Sequence, residues 1–143
     1  MSRALLDINV LLALFDRDHI DHERASAWLD STIKDGWASC PITENGFVRI
    51  ISQSRYPSPI SPVEAIDLLA RAASTEHHEF WPCDVSVLDT TAVNGSLLHG
   101  PRQVTDAYLL ALAVAHDGCF VTFDQSVPLT PVRGATRHHL TTP

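Results

Sequence analysis

Lysine is nearly absent from this chain. Lys34 is the only lysine among its 10 basic residues, and 17 acidic residues bring the formal net charge to −7. A protein that coats nucleic acid with positive charge is therefore not expected. A nuclease remains open, because a divalent metal can neutralise clustered carboxylates. Any phosphate contact would come from an arginine, whose planar group binds phosphate through two donors.

Cysteine and long apolar runs are also scarce. The three cysteines, Cys40, Cys83 and Cys119, are an odd and widely spaced set, typical of neither a disulfide framework nor a zinc motif. We expect buried thiols in a reducing, cytoplasmic compartment. No apolar run reaches the roughly 20 residues of a membrane span. The N-terminus lacks the pattern of a signal peptide, so we expect none.

Histidine and serine show no familiar catalytic spacing. The 8 histidines include the adjacent pairs His77–His78 and His138–His139, but none has the spacing of a zinc motif. We expect them to be surface residues. No nucleophile elbow is present, so a Ser–His–Asp hydrolase is not expected.

Strand and helix patterns alternate along the chain. Its 143 residues, 45% of them hydrophobic, fit a single domain over 1–143 with a sizeable core. The alternation predicts an α/β fold, with a central parallel sheet of four to five strands between helices on both faces. The predicted strands are the apolar run before Asp7, 36–40, 78–81, 119–123 and an edge strand near 138–140. The predicted helices are 10–15, 22–33, 41–52, 61–73, 85–98 and 105–116, with Asn9 capping the first and Thr105 the last.

Four acidic residues follow predicted strands or begin the helices after them. Asp7 follows the first strand and Asp124 the fourth. Glu44 lies in the first turns of the helix after the second strand, and Asp106 lies beside Thr105. Glu44 and Asp106 are each in register with apolar residues three, four and seven positions later, so both should face the sheet. Ligands of open α/β sheets bind beyond the carboxyl ends of the strands, so we expect the four acids to meet there.

Four neighbouring carboxylates repel one another, so their negative charge must be offset. A helix N-terminus favours an anion by only about 0.3–1 kcal/mol. Either some carboxyl pKa values rise or a cation lies among the acids. Hard oxygen ligands suit Mg²⁺ or Mn²⁺. Each acid alone has a structural explanation, since Asp7 and Asp124 could cap turns and Glu44 and Asp106 could be helix residues with solvent access. The set of four favours a metal site.

The acids stand in segments that resemble the four acidic motifs of PIN-domain ribonucleases. The segments are Leu6–Asn9, Pro41–Arg49, Val104–Ala111 and Val121–Asp124. Their order and spacing resemble the VapC toxins of bacterial type II toxin–antitoxin modules, over essentially the whole chain. The resemblance implies that Asp7, Glu44, Asp106 and Asp124 form an acidic metal site that Asn9 supports by hydrogen bonding.

The same resemblance implies a PIN-like α/β/α sandwich and a Mg²⁺- or Mn²⁺-dependent endoribonuclease. Phosphodiester hydrolysis of RNA would be metal-assisted. The resemblance also implies a homodimer, held inactive by a cognate antitoxin whose C-terminal tail reaches the active site. Arg102, in the predicted loop before Asp106, is our first candidate for contact with the RNA backbone, ahead of Arg49 and Arg17.

Other proteins use acids at the same sheet edge. A phosphohydrolase of the haloacid dehalogenase type needs a second Asp two residues after the first, where this chain has Asn9. Those enzymes and phosphoacceptor receivers also rely on a lysine late in the chain, whereas Lys34 is early. A housekeeping PIN nuclease and a non-catalytic PIN-like RNA-binding module remain as alternatives.

Overall fold

Within residues 2–143, the part of the chain described by this computed structural model, five parallel strands form one central sheet. They are β1 (Ala4–Leu6), β2 (Trp37–Ser39), β3 (His78–Phe80), β4 (Cys119–Val121) and β5 (Leu140–Thr141). Their order is β3-β2-β1-β4-β5, and β1 pairs in parallel with both β2 and β4. The chain thus builds the sheet outward on one side of β1 and then on the other. The strand order reverses at β1 and β4, where a ligand crevice is expected.

Helices cover both faces of the sheet. Over residues 2–143 the α-helices are α1 (Ile8–Phe15), α2 (His22–Thr32), α3 (Pro41–Ile51), α4 (Pro62–Ala73) and α5 (Arg102–Ala115). Residues of α1, α3 and α4 pack in one core with Leu6, Trp37 and Val121. Residues of α5 pack in a second core with Leu5 and Phe120. Because neighbouring strand residues point to opposite faces, the two cores lie on opposite sides of the sheet. The predicted α/β/α sandwich is confirmed.

The start of α4 shows how local sequence fixes these elements. The Ser61 hydroxyl accepts a hydrogen bond from the Glu64 amide at 3.2 Å, and the Glu64 carboxylate accepts one from the Ser61 hydroxyl at 2.9 Å. Pro62 occupies the first helical position, where its missing N–H would have no helical partner. The predicted helix start is confirmed.

Other predicted element ends were wrong. Asp7 rather than Asn9 caps α1, because its side chain accepts from the Ile8 amide and the helix begins one residue later. Helix α5 begins at Arg102, so residues 102–104 are helical rather than a loop and Thr105 is no cap. Strand β4 ends at Val121, two residues earlier than predicted. The last strand is Leu140–Thr141, after a short 3₁₀ helix over Arg137–His139.

The predicted helix over 85–98 is absent from the structure of residues 2–143. Polar side chains there bond to nearby backbone amides: Ser86 accepts from the Leu88 amide at 3.1 Å, and Asp89 accepts from the Thr91 amide at 2.9 Å. Such local bonds stabilise turns at the expense of a helix. The segment then pairs with a distant one, through an antiparallel bridge between Val93 and Val132.

The cysteines are all free thiols, but they differ in exposure. Cys40 and Cys119 are buried as expected, whereas Cys83 is exposed, so the prediction of burial was wrong for Cys83. Cys83 follows Pro82 in the irregular segment after β3, outside both hydrophobic cores. None of the helices found in residues 2–143 has the length and apolar character needed to cross a membrane.

One glycine lets α1 and α3 approach each other. A side-chain carbon added at Gly46 in α3 would collide with the Ile8 side chain at the start of α1. Both helices follow strands of the same sheet, β1 and β2. The close contact therefore sets the spacing between the helix that follows Asp7 and the helix that carries Glu44.

Candidate active site

Asp7 is held from two sides at the carboxyl end of β1. One carboxylate oxygen, Oδ2, accepts a hydrogen bond from the Thr122 hydroxyl at 2.7 Å, and Oδ1 accepts from the Ile8 amide at 2.8 Å. The residue is only 8% exposed. Two donors on a buried carboxylate fix its orientation, so the side chain is rigid before any ligand binds.

Thr122 organises the turn that follows β4. Its side chain is fully buried, and its hydroxyl oxygen accepts from the Asn9 side-chain amide at 3.2 Å and from the Asp124 backbone amide at 3.0 Å. With the bond donated to Asp7, the hydroxyl uses its one hydrogen and both lone pairs. Asn9 also accepts from the Phe123 amide at 3.2 Å. The first turn of α1 and the end of β4 are thereby joined.

Asp124 lies on the exposed side of this turn. Its carboxylate oxygen Oδ1 accepts from the Ser126 amide at 2.8 Å and from the Ser126 hydroxyl at 2.6 Å. These bonds lower the pKa of Asp124 below its ordinary value. Asp124 therefore stays ionised to a lower pH than an ordinary aspartate.

Asp106 completes a group of three aspartates. Burial, followed by the charges of Asp7 and Asp124, raises the pKa of Asp106 to about 6. Burial also raises the pKa of Asp7, to which the charge of Asp124 adds. We name Asp7, Asp106 and Asp124 the aspartate cluster. Its members share one electrostatic environment that a cation would relieve.

Glu44, the fourth predicted acid, has different neighbours. Its oxygen Oε2 accepts from the Ser39 hydroxyl at 2.6 Å, and the same hydroxyl lies 2.8 Å from His78 Nε2. The charges that raise the pKa of Asp106 are those of Asp7 and Asp124. The charges of Asp7 and Asp124 thus reach Asp106, whereas Glu44 is bonded to Ser39 at the end of β2.

His78 is half-buried, so the expectation of a surface histidine was wrong for this residue. Its ring lies against that of Trp37, with centroids 4.4 Å apart. Burial lowers the pKa of His78, and the nearby Glu44 carboxylate opposes that shift. The sequence pattern gave no sign of this contact because Ser39 and His78 are distant in the chain and meet only through the pairing of β2 with β3.

The donor set of the aspartate cluster fits a hard divalent cation. Among residues 2–143, no three His, Cys, Asp or Glu side chains are already grouped at metal-binding separation. Mg²⁺ usually binds through one or two carboxylates and keeps several waters, so it does not require such a closed group. Burial raises the pKa values of Asp7 and Asp106, and the negative charge of Asp124 adds to both shifts, so a cation would be favoured there.

Arg102 is the first residue of α5 and is exposed. It precedes Asp106 by four residues, so the two side chains lie on the same face of the helix. Arg102 therefore stays a predicted contact for the RNA backbone.

Sequence reasoning missed Thr122, Ser39, Ser126 and His78. Thr122 and Ser39 share a recognisable pattern: each is a hydroxyl residue at or just beyond the last position of a buried apolar strand, shortly before an acid. A polar side chain at a fully buried position requires a hydrogen-bond partner. For Ser39 the acid five residues later accepts its hydrogen, whereas Thr122 donates to Asp7, 115 residues earlier.

Comparison with known proteins places the chain in a family. A family model described as the PIN domain matches residues 4–130. The chain belongs to the PIN-domain family. The match spans Asp7, Glu44, Asp106 and Asp124, so all four predicted acids lie within the PIN domain.

Relatives of this PIN protein include several ribonucleases of Mycobacterium tuberculosis. It is 71% identical to Ribonuclease VapC44 over 140 residues, covering 98% of this chain and 99% of the relative. It is 42% identical to Ribonuclease VapC39 over 125 residues, covering 87% and 90% of the two chains. The crystal structure of VapBC2 from Rickettsia felis bound to a DNA fragment from their promoter has a chain that matches with a TM-score of 0.55 at 14% identity. That match covers 85% of this chain and 87% of the other, and it supports the fold alone.

Proposed function

We propose that this PIN protein is an endoribonuclease that hydrolyses RNA phosphodiester bonds as the toxin of a type II toxin–antitoxin module. The observation that carries the proposal is the aspartate cluster at the point where the strand order reverses, with Asp7 fixed by a buried hydroxyl. The 71% identity to Ribonuclease VapC44 over nearly the whole chain supports the same activity.

Mg²⁺ or Mn²⁺ is the cofactor that this site would take. Asp7, Asp106 and Asp124 would hold the ion, and Glu44 would be the fourth acid of the set. When bound, a divalent cation supplies positive charge for the phosphate and lowers the pKa of an attacking water. Without it, three carboxylates would repel the RNA phosphate.

The protein's own residues would then bind and orient the reacting groups. Thr122 and Asn9 hold Asp7 and the turn before Asp124 in place, so little reorganisation is needed when RNA binds. Arg102 would contact the RNA backbone next to Asp106, through the two parallel donors that a guanidinium offers to phosphate.

Partners follow from the same proposal. A toxin of this class would be held inactive by a cognate antitoxin protein, and the resemblance to VapC toxins favours a homodimer and a cytoplasmic location. The VapC names of the relatives support an antitoxin partner. A small antitoxin-like reading frame directly upstream would separate a toxin from a housekeeping PIN nuclease.

Asp7→Asn is the decisive test of the proposal. We expect the variant to fold normally and to lose both growth arrest on expression and RNA cleavage, by a hundredfold or more on the scale of about 10²–10³ for a lost transition-state electrostatic group. Cleavage by the parent should also stop when magnesium is omitted and a chelator is added. Asp67→Asn, which alters an exposed acid in α4, is the matched control and should stay toxic.

Two outcomes would contradict the proposal. Undiminished toxicity of Asp7→Asn would remove Asp7 from the active site. Undiminished cleavage in the presence of the chelator would exclude the metal-dependent mechanism. Circular dichroism of both variants checks that the fold is intact.

A further inference from the structure

A chain of three polar side chains links the edge strand β3 to Glu44. Glu44 Oε2 is 2.6 Å from the Ser39 hydroxyl, and that hydroxyl is 2.8 Å from His78 Nε2. Ser39 is 0% exposed, so its hydroxyl depends on these protein partners. Glu44 is therefore held by a hydrogen-bonded chain of its own.

The direction of each hydrogen bond between Glu44, Ser39 and His78 follows from the donors and acceptors that each side chain has. An ionised carboxylate only accepts, so Ser39 donates its single hydrogen to Glu44. A separation of 2.6 Å is typical of a hydroxyl bonded to a charged oxygen. The serine oxygen can then only accept from His78, which must carry a proton on Nε2. Donation therefore runs from His78 to Ser39 to Glu44.

This order excludes a nucleophilic triad made of the same residue types. In a Ser–His–acid triad the imidazole accepts the serine proton and the carboxylate binds the imidazole. Here the carboxylate binds the serine and the imidazole donates to it. Ser39 is also fully buried, so a substrate could not reach its oxygen.

The imidazole at the end of the chain is itself fixed. The His78 ring packs on Trp37, and the two residues are paired across β2 and β3. Arg3 strengthens this edge, donating to the carbonyl of His77 at 2.8 Å and to that of Trp37 at 3.2 Å. The donor that reaches Ser39 thus has little freedom to turn away.

We infer that Ser39 and His78 are positioning residues that hold one oxygen of Glu44 so that the other can serve the metal site. The inference rests on the proposed function, because Glu44 is taken as the fourth acid of that site. His78 acts only through Ser39, and neither residue touches the RNA or the ion.

The test is a double-mutant cycle with two readouts, RNA cleavage and Mn²⁺ affinity measured by electron paramagnetic resonance of the free ion. Ser39→Ala should lower both by about 10- to 100-fold, the scale for partners that orient a metal ligand. In a Glu44→Ala background the same change should add nothing, because the group that it orients is gone. Ser31→Ala removes an exposed hydroxyl that bonds to the Trp28 carbonyl, and it should match the parent.

Two substitutions at His78 separate positioning from packing. His78→Phe keeps a ring against Trp37 and removes the donor, so cleavage and Mn²⁺ affinity should fall by about threefold to tenfold, the size of one neutral hydrogen bond. His78→Gln keeps an N–H donor near the position of Nε2 and should restore most of the loss. A loss in His78→Gln with none in His78→Phe would mean that the ring only packs, and it would overturn the positioning role of His78.

The outcomes distinguish this inference from the proposed function. If the parent cleaves RNA and Ser39→Ala matches it in both readouts, only the positioning role is wrong. An equal effect of Ser39→Ala with and without Glu44 would overturn it in the same way. A parent that binds no Mn²⁺ and cuts no RNA would overturn both.

Discussion

Two buried hydroxyls flank β1, and each donates to a predicted site acid. Thr122 lies just beyond β4 and donates to Asp7 at 2.7 Å, and Ser39 ends β2 and donates to Glu44 at 2.6 Å. Both side chains are 0% exposed. The same device therefore orients an acid on each side of the central strand.

The two hydroxyls differ in what holds them. Thr122 accepts from Asn9, in the helix that follows the central strand β1, and from the Asp124 amide, in the turn after β4. Ser39 accepts from His78 alone, on the edge strand β3, where Phe80 is 50% exposed. The Thr122 side is thus fixed by several central contacts, whereas the Ser39 side depends on one edge residue. Substitutions on the Thr122 side should therefore have the larger effects on the free energy of unfolding.

The largest expected effect on stability is that of Thr122→Val, which keeps the shape of the side chain and removes its hydroxyl. Asp7, Asn9 and the Asp124 amide would each lose a partner. We expect a loss of about 1–3 kcal/mol in the free energy of unfolding, the cost of leaving buried polar groups unpaired. RNA cleavage should fall by about 10- to 100-fold. Urea unfolding and a cleavage assay measure the two quantities.

Thr122→Ser is the matched control, because it keeps the hydroxyl and removes only a methyl group. It should retain most of the cleavage activity. A valine variant as active as the serine variant would show that the Thr122 hydroxyl is not needed to orient Asp7.

Gly46→Ala should have the next largest effect, because it acts on the contact between α1, which follows Asp7, and α3, which carries Glu44. The added methyl group would meet Ile8 and push α3, with Glu44, away from α1. Overpacking of this kind destabilises by about 1–3 kcal/mol. Gly95→Ala is the control: no atom lies within 4 Å of the added carbon, and its effect should stay within about 0.5 kcal/mol. Equal unfolding free energies for the two variants would contradict the close contact.

The smallest expected effect is a pH dependence centred on Asp106. Its pKa of about 6 in the folded protein exceeds the ordinary value of 3.8, so the folded state binds this proton more tightly than the unfolded state. The resulting stabilisation is complete below about pH 4 and is lost as the pH rises through 6. Metal-free protein should therefore gain melting temperature between pH 7 and pH 5. Asp106→Asn should remove part of that gain, and an unchanged pH profile in this variant would contradict the shift.

The periodic spacing of apolar residues predicted the sheet, the helix faces and the positions of the four acids. The aspartates were predicted to meet because Asp7 directly follows β1, Asp124 comes shortly after β4 and Asp106 lies early in α5, and parallel strands bring such positions to one edge. The partners of Glu44 could not be predicted, because Ser39 and His78 meet only through strand pairing over 39 residues of sequence.

The wrong helix at 85–98 has a similar cause. Its apolar residues have helical spacing, but the turn-forming bonds of Ser86 and Asp89 compete with the helix, and Val93 finds a distant partner in Val132. That Asp7 rather than Asn9 caps α1 has a more local reason. Both can cap a helix, and the one that does so is decided by where β1 ends.

The bond between Asp7 and Thr122 also bears on how the protein is made. It joins residues 115 positions apart, through parallel strands that cannot pair until the intervening segments have emerged. Contacts of such long range form late in folding. During synthesis, a ribosome would have to complete most of the chain before Asp7 gains its orienting hydroxyl. Any activity that depends on the orientation of Asp7 would therefore begin only after synthesis has passed Thr122.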